Sequence, residues 1–394
     1  MNFLNKIKSD KTVWVIILMI SLFSLLVVYS SSNVLAWRWK QGNTESFLFK
    51  QAFIIIFGFG IMSVLQFFNY KYLSKISQIA FYGIIPLLIL TLFIGKSEGD
   101  ASRWLEIFGI SIQTSEIAKL TLIVYVARVL TLHQEDLGDF KKVMKLLILP
   151  IGIICILILP ANFSTAAMLG CVCFVMLFLG RVPLKILSVI AGGGLCFLLL
   201  FGTWVWNAPG TIPGGRGFTW KARIERYMSL QSPDNDQVDR GKVKEENFQA
   251  DMAKIAVAHG QIIGVGPGNS TQRNFLPQAN SDFIFAIFLE EYGFIFGLIL
   301  IFLYLILFFR GISILKKSNH LFGGLMAIGL SFAIIFQAFI NMAVAVGLFP
   351  VTGQPLPLVS SGGTSIIFTL IALGIILSVS RWSEIEKETE RGNA

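Results

Sequence analysis

One carboxylate, Asp282, stands where a polar, glycine-rich stretch gives way to an apolar segment. The surrounding residues 264–291 read GVGPGNSTQRNFLPQANSDFIFAIFLEE. An ionised side chain at the edge of an apolar membrane segment is costly, so its presence indicates a function. A lone acid here could act as a general base that takes a proton from a hydroxyl group. Alternatively, Asp282, preceded by Asn280 and Ser281, only caps the following helix or complements its dipole.

Two further acids, Glu290 and Glu291, follow Asp282 at eight and nine residues. Along a helix that separation amounts to about 12–13.5 Å. The two carboxylates of a glycosidase lie only about 5–9.5 Å apart. The spacing therefore argues against a two-acid hydrolase within this helix, and it favours transfer to a sugar hydroxyl with Asp282 acting alone.

Six further polar or aromatic residues are candidates for substrate contacts: Ser281, directly before Asp282, and five residues elsewhere in the chain. Glu116 and Lys119 lie three residues apart, on one face of a helix. They could form a structural ion pair, or Lys119 could face a cavity and bind an anion such as phosphate. Arg103 and Trp104 precede them, and a tryptophan at this level is ordinarily a membrane-interface anchor. Arg223 could likewise meet a lipid phosphate, or it could belong to a solvated helix face.

Cofactor sites have no comparable pattern. The three histidines are too scattered for a metal site, and the four cysteines lie inside apolar segments without metal-ligand spacing. A divalent cation, Mg²⁺ or Mn²⁺, could assist a reaction at phosphate, but the sequence shows no dedicated ligand set. The glycines of GVGPG neither follow a strand nor carry a Walker lysine, which argues against nucleotide binding.

Membrane-spanning helices must position these candidates. The chain of 394 residues is 55% hydrophobic and only 14% charged. Its long continuous apolar runs are typical of transmembrane helices rather than of a β-barrel. We therefore predict an all-α polytopic membrane protein of about ten transmembrane helices. The predicted spans are 13–34, 47–68, 77–95, 116–132, 147–160, 164–180, 186–206, 283–309, 321–348 and 363–381.

Basic residues indicate the orientation. With the N-terminus inside, the inner segments hold sixteen Lys and Arg side chains and the short outer loops hold four. This asymmetry predicts cytoplasmic termini and an extracytoplasmic long loop, 207–282, between the seventh and eighth spans. The net charge of +9 follows mostly from this rule, so it requires no nucleic-acid partner and suits the acidic membrane lipids of the inner leaflet. Residues 1–394 form one transmembrane domain, with a cytoplasmic tail at 382–394.

Three outer loops favour a site at the outer membrane interface. They are 96–115, the long loop, and 349–365, which is rich in proline, glycine and serine. Within the long loop, 247–260 predicts a helix that ends at a glycine. Residues 221–230 could form a short basic amphipathic helix on the outer surface.

Three stretches, together with the ten-span plan, resemble one bacterial protein family. They are GVGPGNSTQRNFLPQANSDFIFAIFLEEYG, NMAVAVGLFPVTGQPLPLVSSGGTS and ASRWLEIFGISIQTSEIAKL. Their combination resembles the SEDS family of shape, elongation, division and sporulation proteins over nearly the whole chain. The strings SDFIFAIFLEE and NMAVAVGLFPVTGQPLPL look more like the division members than the elongation members.

The resemblance implies an activity and a site. SEDS proteins are understood as peptidoglycan glycosyltransferases that polymerise the lipid-linked disaccharide lipid II into a growing glycan strand, at the outer face of the cytoplasmic membrane. They work with a class B penicillin-binding protein, a transpeptidase that cross-links the strands, and a division member would meet other division proteins at the septum. The family's essential acid corresponds to Asp282, after Ser281. Its Arg-Trp and Ser-Glu-x-Ala-Lys motifs correspond to Arg103-Trp104 and residues 115–119.

The chain departs from the family pattern in three places. The usual Pro-Asp after the fifth span is Ala161-Asn162. The tyrosine of the usual Ser-Tyr-Gly-Gly is Ser361, and the middle residue of the usual Gly-Leu-Gly is Pro267. The missing acid puts a catalytic role at Asn162 in doubt, whereas Asp282 is retained.

The residues and the resemblance together predict an inverting glycan polymerase. Asp282 would take the proton from the 4-hydroxyl of the acceptor sugar. Lys119, Arg103 and Arg223, in that order, are the candidates to stabilise the departing pyrophosphate. The first alternative is a lipid II flippase or other transporter, which Glu116 and Lys119 in a membrane helix permit. The second is a non-catalytic scaffold of the division complex.

Overall fold

The structure of the protein, a computed structural model, is a bundle of helices. It describes residues 9–32, 43–98, 101–107, 109–208, 210, 220–221, 225, 243–276 and 279–392. Arg223 and nearly all of the basic segment predicted at 221–230 lie outside the described residues.

Helices dominate the described chain. Those before the long loop are α1 (Lys11–Ser31), α2 (Glu45–Leu65), α3 (Lys71–Ile94), α4 (Thr114–Leu132), α5 (Phe140–Val143), α6 (Leu149–Ile158), α7 (Phe163–Leu179) and α8 (Leu184–Asn207). Those that follow are α9 (Val243–Gly260), α10 (Ile284–Lys317), α11 (Leu321–Ala345) and α12 (Gly363–Gly392). Each predicted span coincides with a helix, and the all-α polytopic fold is confirmed.

Seven of these helices are long and apolar enough to cross a membrane, and α7 is a shorter apolar helix. The fifth predicted span is less regular, because α5 continues through a π-helical turn, Met144–Ile148, into α6. Helices α11 and α12 are mostly buried within the bundle, whereas α8 buries only Ile186, Leu187 and Val205. Most residues of α4 are buried as well, so the buried core lies around α4, α11 and α12, and α8 lies at its margin.

A small antiparallel sheet occupies the predicted outer loop 96–115, a feature that the sequence did not predict. Its strands are β1 (Lys96–Glu98), β2 (Ala101–Ile107) and β3 (Ile110–Gln113), in the order β1-β2-β3. Gly109 lies between β2 and β3 at φ 79°, a conformation that glycine adopts without a steric penalty. Because β3 leads directly into α4, the sheet places Arg103 and Trp104 at the same end of the bundle as the start of that helix.

Helix α10 is divided by Gly293, which has a non-helical conformation with φ 79° and ψ 179°. A side chain at Gly293 would collide with the backbone of Gly264. The turn after α9 binds to both sides of the break: Val265 N–H donates to Glu290 O (2.9 Å), and Phe294 N–H donates to Gln261 O (3.0 Å). Residues 284–292 therefore form a separate short helix, which we call the entry segment.

The helix predicted within the long loop is confirmed as α9, and it ends at the glycine identified as its stop. Gly260 packs so closely on the entry segment that a Cβ would collide with the carbonyl of Leu289. Gly264, Gly266 and Gly268 all have positive φ, at 88°, 97° and 78°. The glycine-rich stretch is thus a series of tight turns that fastens α9 to the entry segment.

Candidate functional site at one end of the bundle

Asp282 lies in the turn immediately before the entry segment of α10. The helix begins at Ile284 with Phe283 in the N-cap position, so Asp282 precedes the cap by one residue. Its side chain is half-buried, and Ser281 Oγ donates a hydrogen bond of 2.9 Å to Asp282 Oδ1. The position does not match that of a side-chain N-cap, whose oxygen accepts from the second or third helical N–H.

Arg103 comes close to Asp282 although the two residues belong to different elements. Both border the position that a Cβ on Gly353 would occupy: Arg103 Nη1 lies 3.4 Å from it and Asp282 Oδ2 lies 3.5 Å from it. Gly353 itself has φ 67°, which disfavours any residue with a side chain. The glycine therefore leaves space for about one methyl group, and this space adjoins both the carboxylate of Asp282 and the guanidinium group of Arg103.

Arg103 also lines a narrow cavity. Its Nε–H donates to the carbonyl of Ala161 at 2.9 Å. The cavity has apolar walls that include Leu88 and Leu157, and Asn162 and the first residues of α4 supply polar groups. Arg103 thus contributes a cation to a small cavity with mostly apolar walls, and a guanidinium group suits the binding of a phosphate.

Asn162, at the position where the family pattern has an acid, caps a helix. It is the N-cap of α7, and its Oδ1 accepts a hydrogen bond of 3.2 Å from Thr165 N–H. Its Nδ2 is buried without a hydrogen-bond partner among the described residues. An amide caps a helix about as well as a carboxylate does, so the substitution retains the start of α7.

The loop 350–362 covers the turn that carries Asp282, and side chains from three directions hold it. Ser360 Oγ donates to Ser281 O at 2.7 Å, and Ser361 N–H donates to Asn280 O at 2.8 Å. Gln354 Nε2 donates to Thr165 Oγ1 on α7 at 2.6 Å. Ser361, where the family has a tyrosine, thus contributes through its backbone rather than through its side chain.

Helix α11 supplies the third attachment of this loop. Asn341 Nδ2 donates to two backbone carbonyls, that of Asp282 at 2.9 Å and that of Gln354 at 2.7 Å. One turn earlier, Gln337 Nε2 donates to the carbonyl of Pro355 at 2.9 Å. Both amides are buried, so the helix holds the loop by specific polar contacts and not by apolar packing alone.

Lys119 and Glu116 form the ion pair that their spacing suggested. Lys119 Nζ lies 2.8 Å from Glu116 Oε1, and both side chains are less than one-tenth exposed. Lys119 Nζ also donates to Gln337 Oε1 at 2.7 Å. The ammonium group is therefore linked through Gln337 to Pro355, in the loop that covers Asp282.

Glu290 and Glu291 are both fully buried, at the far end of the entry segment from Asp282. Glu290 accepts hydrogen bonds from Ser270 Oγ and Thr271 N–H, and its Oε1 lies 3.0 Å from His259 Nδ1. Glu291 accepts from Ser30 Oγ and lies 3.8 Å from Arg273 Nη1. Through these hydrogen bonds and ion pairs, the two acids connect the glycine-rich turns and α1 to the entry segment. This arrangement is consistent with the expectation that neither acid forms a hydrolase pair with Asp282.

Two further predictions concern Trp104 and a divalent cation. Trp104 is half-buried in β2, where it pairs with Gln113 of β3. Within the described residues, no group of three or more His, Cys, Asp and Glu side chains could hold a metal ion. The divalent cation expected from the sequence, Mg²⁺ or Mn²⁺, stays a prediction, and we derive no step through it.

The polar residues that connect the site were not predicted from the sequence. Gln337 and Asn341 lie four residues apart, and thus on one face, in the otherwise apolar helix α11. Polar side chains in a membrane helix mark functional positions, and this signal could have identified both. Gln354 and Ser360 lie in a loop of many polar residues, where no comparable signal distinguishes them.

Comparison with known proteins places the chain in a family. A family model described as "Cell cycle protein", which covers FtsW, RodA and SpoVE, matches residues 10–385. The chain belongs to this FtsW/RodA/SpoVE family. The match extends from the start of α1 into α12, so the whole helical bundle is part of the shared architecture.

Individual relatives agree with this assignment. The "Probable peptidoglycan glycosyltransferase FtsW" of Geobacter sp. (strain M18) is 31% identical over 378 residues, which cover 94% of this chain and 96% of the relative. "Stage V sporulation protein E" of Bacillus subtilis (strain 168) is 30% identical, covering 96% of this chain and 98% of the relative. A chain in a solved structure of a peptidoglycan synthase complex superposes with a TM-score of 0.73 at 24% identity, covering 95% of this chain and 98% of that chain.

Proposed function

We propose that this family member is a peptidoglycan glycosyltransferase, which polymerises lipid II into glycan strands at the outer face of the cytoplasmic membrane during cell division. The observation that carries the proposal is the placement of Asp282 and Arg103 around the open space at Gly353. A base beside a cation suits a reaction in which a hydroxyl attacks and a phosphate leaves. The names of the family relatives support the same activity.

In the proposed reaction, Asp282 is the general base. The 4-hydroxyl of the lipid II acceptor sugar attacks the anomeric carbon of the growing strand and loses its proton to the Asp282 carboxylate. A carbon–oxygen bond forms at the anomeric carbon as the bond to the lipid pyrophosphate breaks, and the pyrophosphate leaves with the electron pair. Displacement from the opposite face inverts the anomeric configuration. A positioned general base typically contributes about 10²–10⁴-fold to the rate.

Arg103 is best placed to stabilise the departing pyrophosphate. It lies beside Asp282, and it also lines the small cavity with apolar walls. Lys119, ranked first on sequence grounds, is paired with Glu116. We therefore assign Lys119 a supporting role through Gln337, in addition to any direct contact with anionic oxygens.

The proposal extends to partners and location. A class B penicillin-binding protein would cross-link the strands that this protein makes, and the solved complex is described by its coordination of polymerisation and crosslinking. Other division proteins at the septum would be further partners. The seven long apolar helices support a multi-pass membrane location.

Two rival functions remain distinguishable by experiment. A lipid II flippase would move the substrate without joining sugars. A scaffold of the division complex would do neither. The polar network, with Asp282, Arg103 and Lys119, gathers near one end of the bundle, which favours chemistry at one membrane face over transport through the midplane.

The decisive experiment is polymerisation of fluorescent lipid II by the purified protein, with and without the penicillin-binding protein. Asp282→Asn keeps the size of the side chain but cannot accept the proton. We expect glycan synthesis to fall by about 10² or more, within the range of general base catalysis. Lipid II binding should persist, because the lost interaction belongs mainly to the transition state.

Asp251→Asn is the matched control, since Asp251 lies on α9 and only loosely pairs with Lys254, at 3.9 Å. It should polymerise normally. If Asp282→Asn makes long strands at the unaltered rate, the mechanism is wrong. If the unaltered protein moves lipid II across vesicle membranes and makes no glycan, the transporter is the better description.

A further inference from the structure

We infer that Asn341 is a positioning residue for the reaction, because its single amide nitrogen holds Asp282 and the loop 350–362 in a fixed relation. This inference rests on the proposed function. Asn341 lies near the end of α11 and is only 1% exposed. Its Nδ2 donates 2.9 Å to the carbonyl of Asp282 and 2.7 Å to the carbonyl of Gln354.

The two carbonyls belong to segments that no helix or strand joins. Asp282 precedes the entry segment of α10, while Gln354 follows Gly353, which borders both Asp282 Oδ2 and Arg103 Nη1. A donor shared by both carbonyls therefore sets the width of the space between the carboxylate and the loop. Reacting groups need this kind of constraint, because a misplacement of about 1 Å can cost about 10²-fold in rate.

The chemistry of the amide explains why this position needs asparagine. An NH₂ group has two hydrogens and can serve two carbonyls, whereas a hydroxyl has only one. The opposite orientation would direct Oδ1 toward two carbonyl oxygens, so the assignment of nitrogen and oxygen is determined by the contacts. In this orientation Oδ1 is buried without a hydrogen-bond partner among the described residues. The donor side of the amide is thus the side that the structure uses.

The first test separates rate from substrate binding. Asn341→Leu removes both donors at similar size, and Asn341→Asp replaces them with oxygens that repel the two carbonyls. We expect kcat for lipid II polymerisation to fall tenfold or more in both variants, with KM changed by less than about threefold, because the binding surface remains. Ser331→Ala, also fully buried on α11, is the control and should keep the unaltered kcat.

The second test asks whether Asn341 acts through Asp282. The test is a double-mutant cycle. In the protein that retains Asp282, Asn341→Leu should lower kcat tenfold or more. In the Asp282→Asn background, the same substitution should lower the residual kcat by less than about twofold. An equal fold-decrease of kcat in both backgrounds would show that Asn341 only supports the fold. A normal kcat in Asn341→Leu would show that the two hydrogen bonds from Asn341 Nδ2 are dispensable. Either result overturns the inference and leaves the proposed function standing. Full activity of Asp282→Asn alone would instead overturn the proposed function.

Discussion

Arg103 and Asp282, which belong to different elements, both adjoin the small space beside Gly353. Arg103 Nη1 lies 3.4 Å, and Asp282 Oδ2 lies 3.5 Å, from the point where a Cβ on Gly353 would lie. One residue comes from a strand of the small sheet and the other from the turn before α10. Gly353 keeps this space open. In the proposed reaction, the acceptor hydroxyl approaches the Asp282 carboxylate at this space.

Filling this space should impair the reaction. We expect Gly353→Ala to lower kcat/KM for lipid II polymerisation about tenfold or more, because the new methyl group contacts both Arg103 and Asp282. The positive φ of Gly353 adds a strain of roughly 1–2 kcal/mol. Gly268→Ala is the control, since it has a similar φ of 78° and nothing within 4 Å of its Cβ. Equal activity of the two variants would contradict the assignment of this space.

The Lys119–Glu116 pair offers a test of charge against structure. Because both side chains are buried, Lys119→Met leaves Glu116 unpaired and should destabilise the protein by about 3–5 kcal/mol. The double variant Glu116→Gln/Lys119→Met should recover the melting temperature. We expect it to remain at least about tenfold slower than the unaltered protein in lipid II polymerisation. Normal turnover in a stable double variant would mean that the pair serves only the fold.

Asn162 should matter for stability more than for turnover. Asn162→Ala removes the cap of α7 and should cost about 0.5–2 kcal/mol in stability. Polymerase activity should remain measurable, because no carboxylate stands at this position to take part in catalysis. Asn162→Ser, which retains a capping oxygen, should show the smaller loss of stability in thermal unfolding. Complete loss of activity in a well-folded Asn162→Ala protein would reveal a use for the amide in the site.

The charge asymmetry predicts the orientation of the bundle. Two introduced cysteines would report on opposite ends of α11. Asn319 lies just before the start of this helix. Ala258 lies on α9, which is near the other end of α11, because Lys254 of α9 contacts Gly347 just after that end. In a background without the four native cysteines, we expect a membrane-impermeant thiol reagent to label Ala258→Cys in intact cells with a permeabilised envelope. Asn319→Cys should be labelled only after lysis. The reverse pattern would invert the topology and place Asp282 at the cytoplasmic face.

Much of the fold was predictable from the sequence because the signals are local. Continuous apolar runs identify helices wherever backbone groups must be satisfied within the membrane, and all ten predicted spans coincide with helices. The helix that ends at Gly260 was predictable for a similar reason, since a glycine after a periodic segment commonly ends it. Asp282 was identified as the central acid because a carboxylate at the start of an apolar segment is costly.

The arrangement of the site was decided only by the tertiary structure. Asn341 and Asp282 are 59 residues apart in the chain, and Gln354 and Thr165 are 189 apart. No periodicity or capping pattern encodes such pairings, because they depend on how α7, α10 and α11 pack together. The small sheet that carries Arg103 was equally hidden, since its strands have only three to seven residues. The sequence alone determined the helices and the candidate acid, whereas long-range packing decided which cation and which amides surround it.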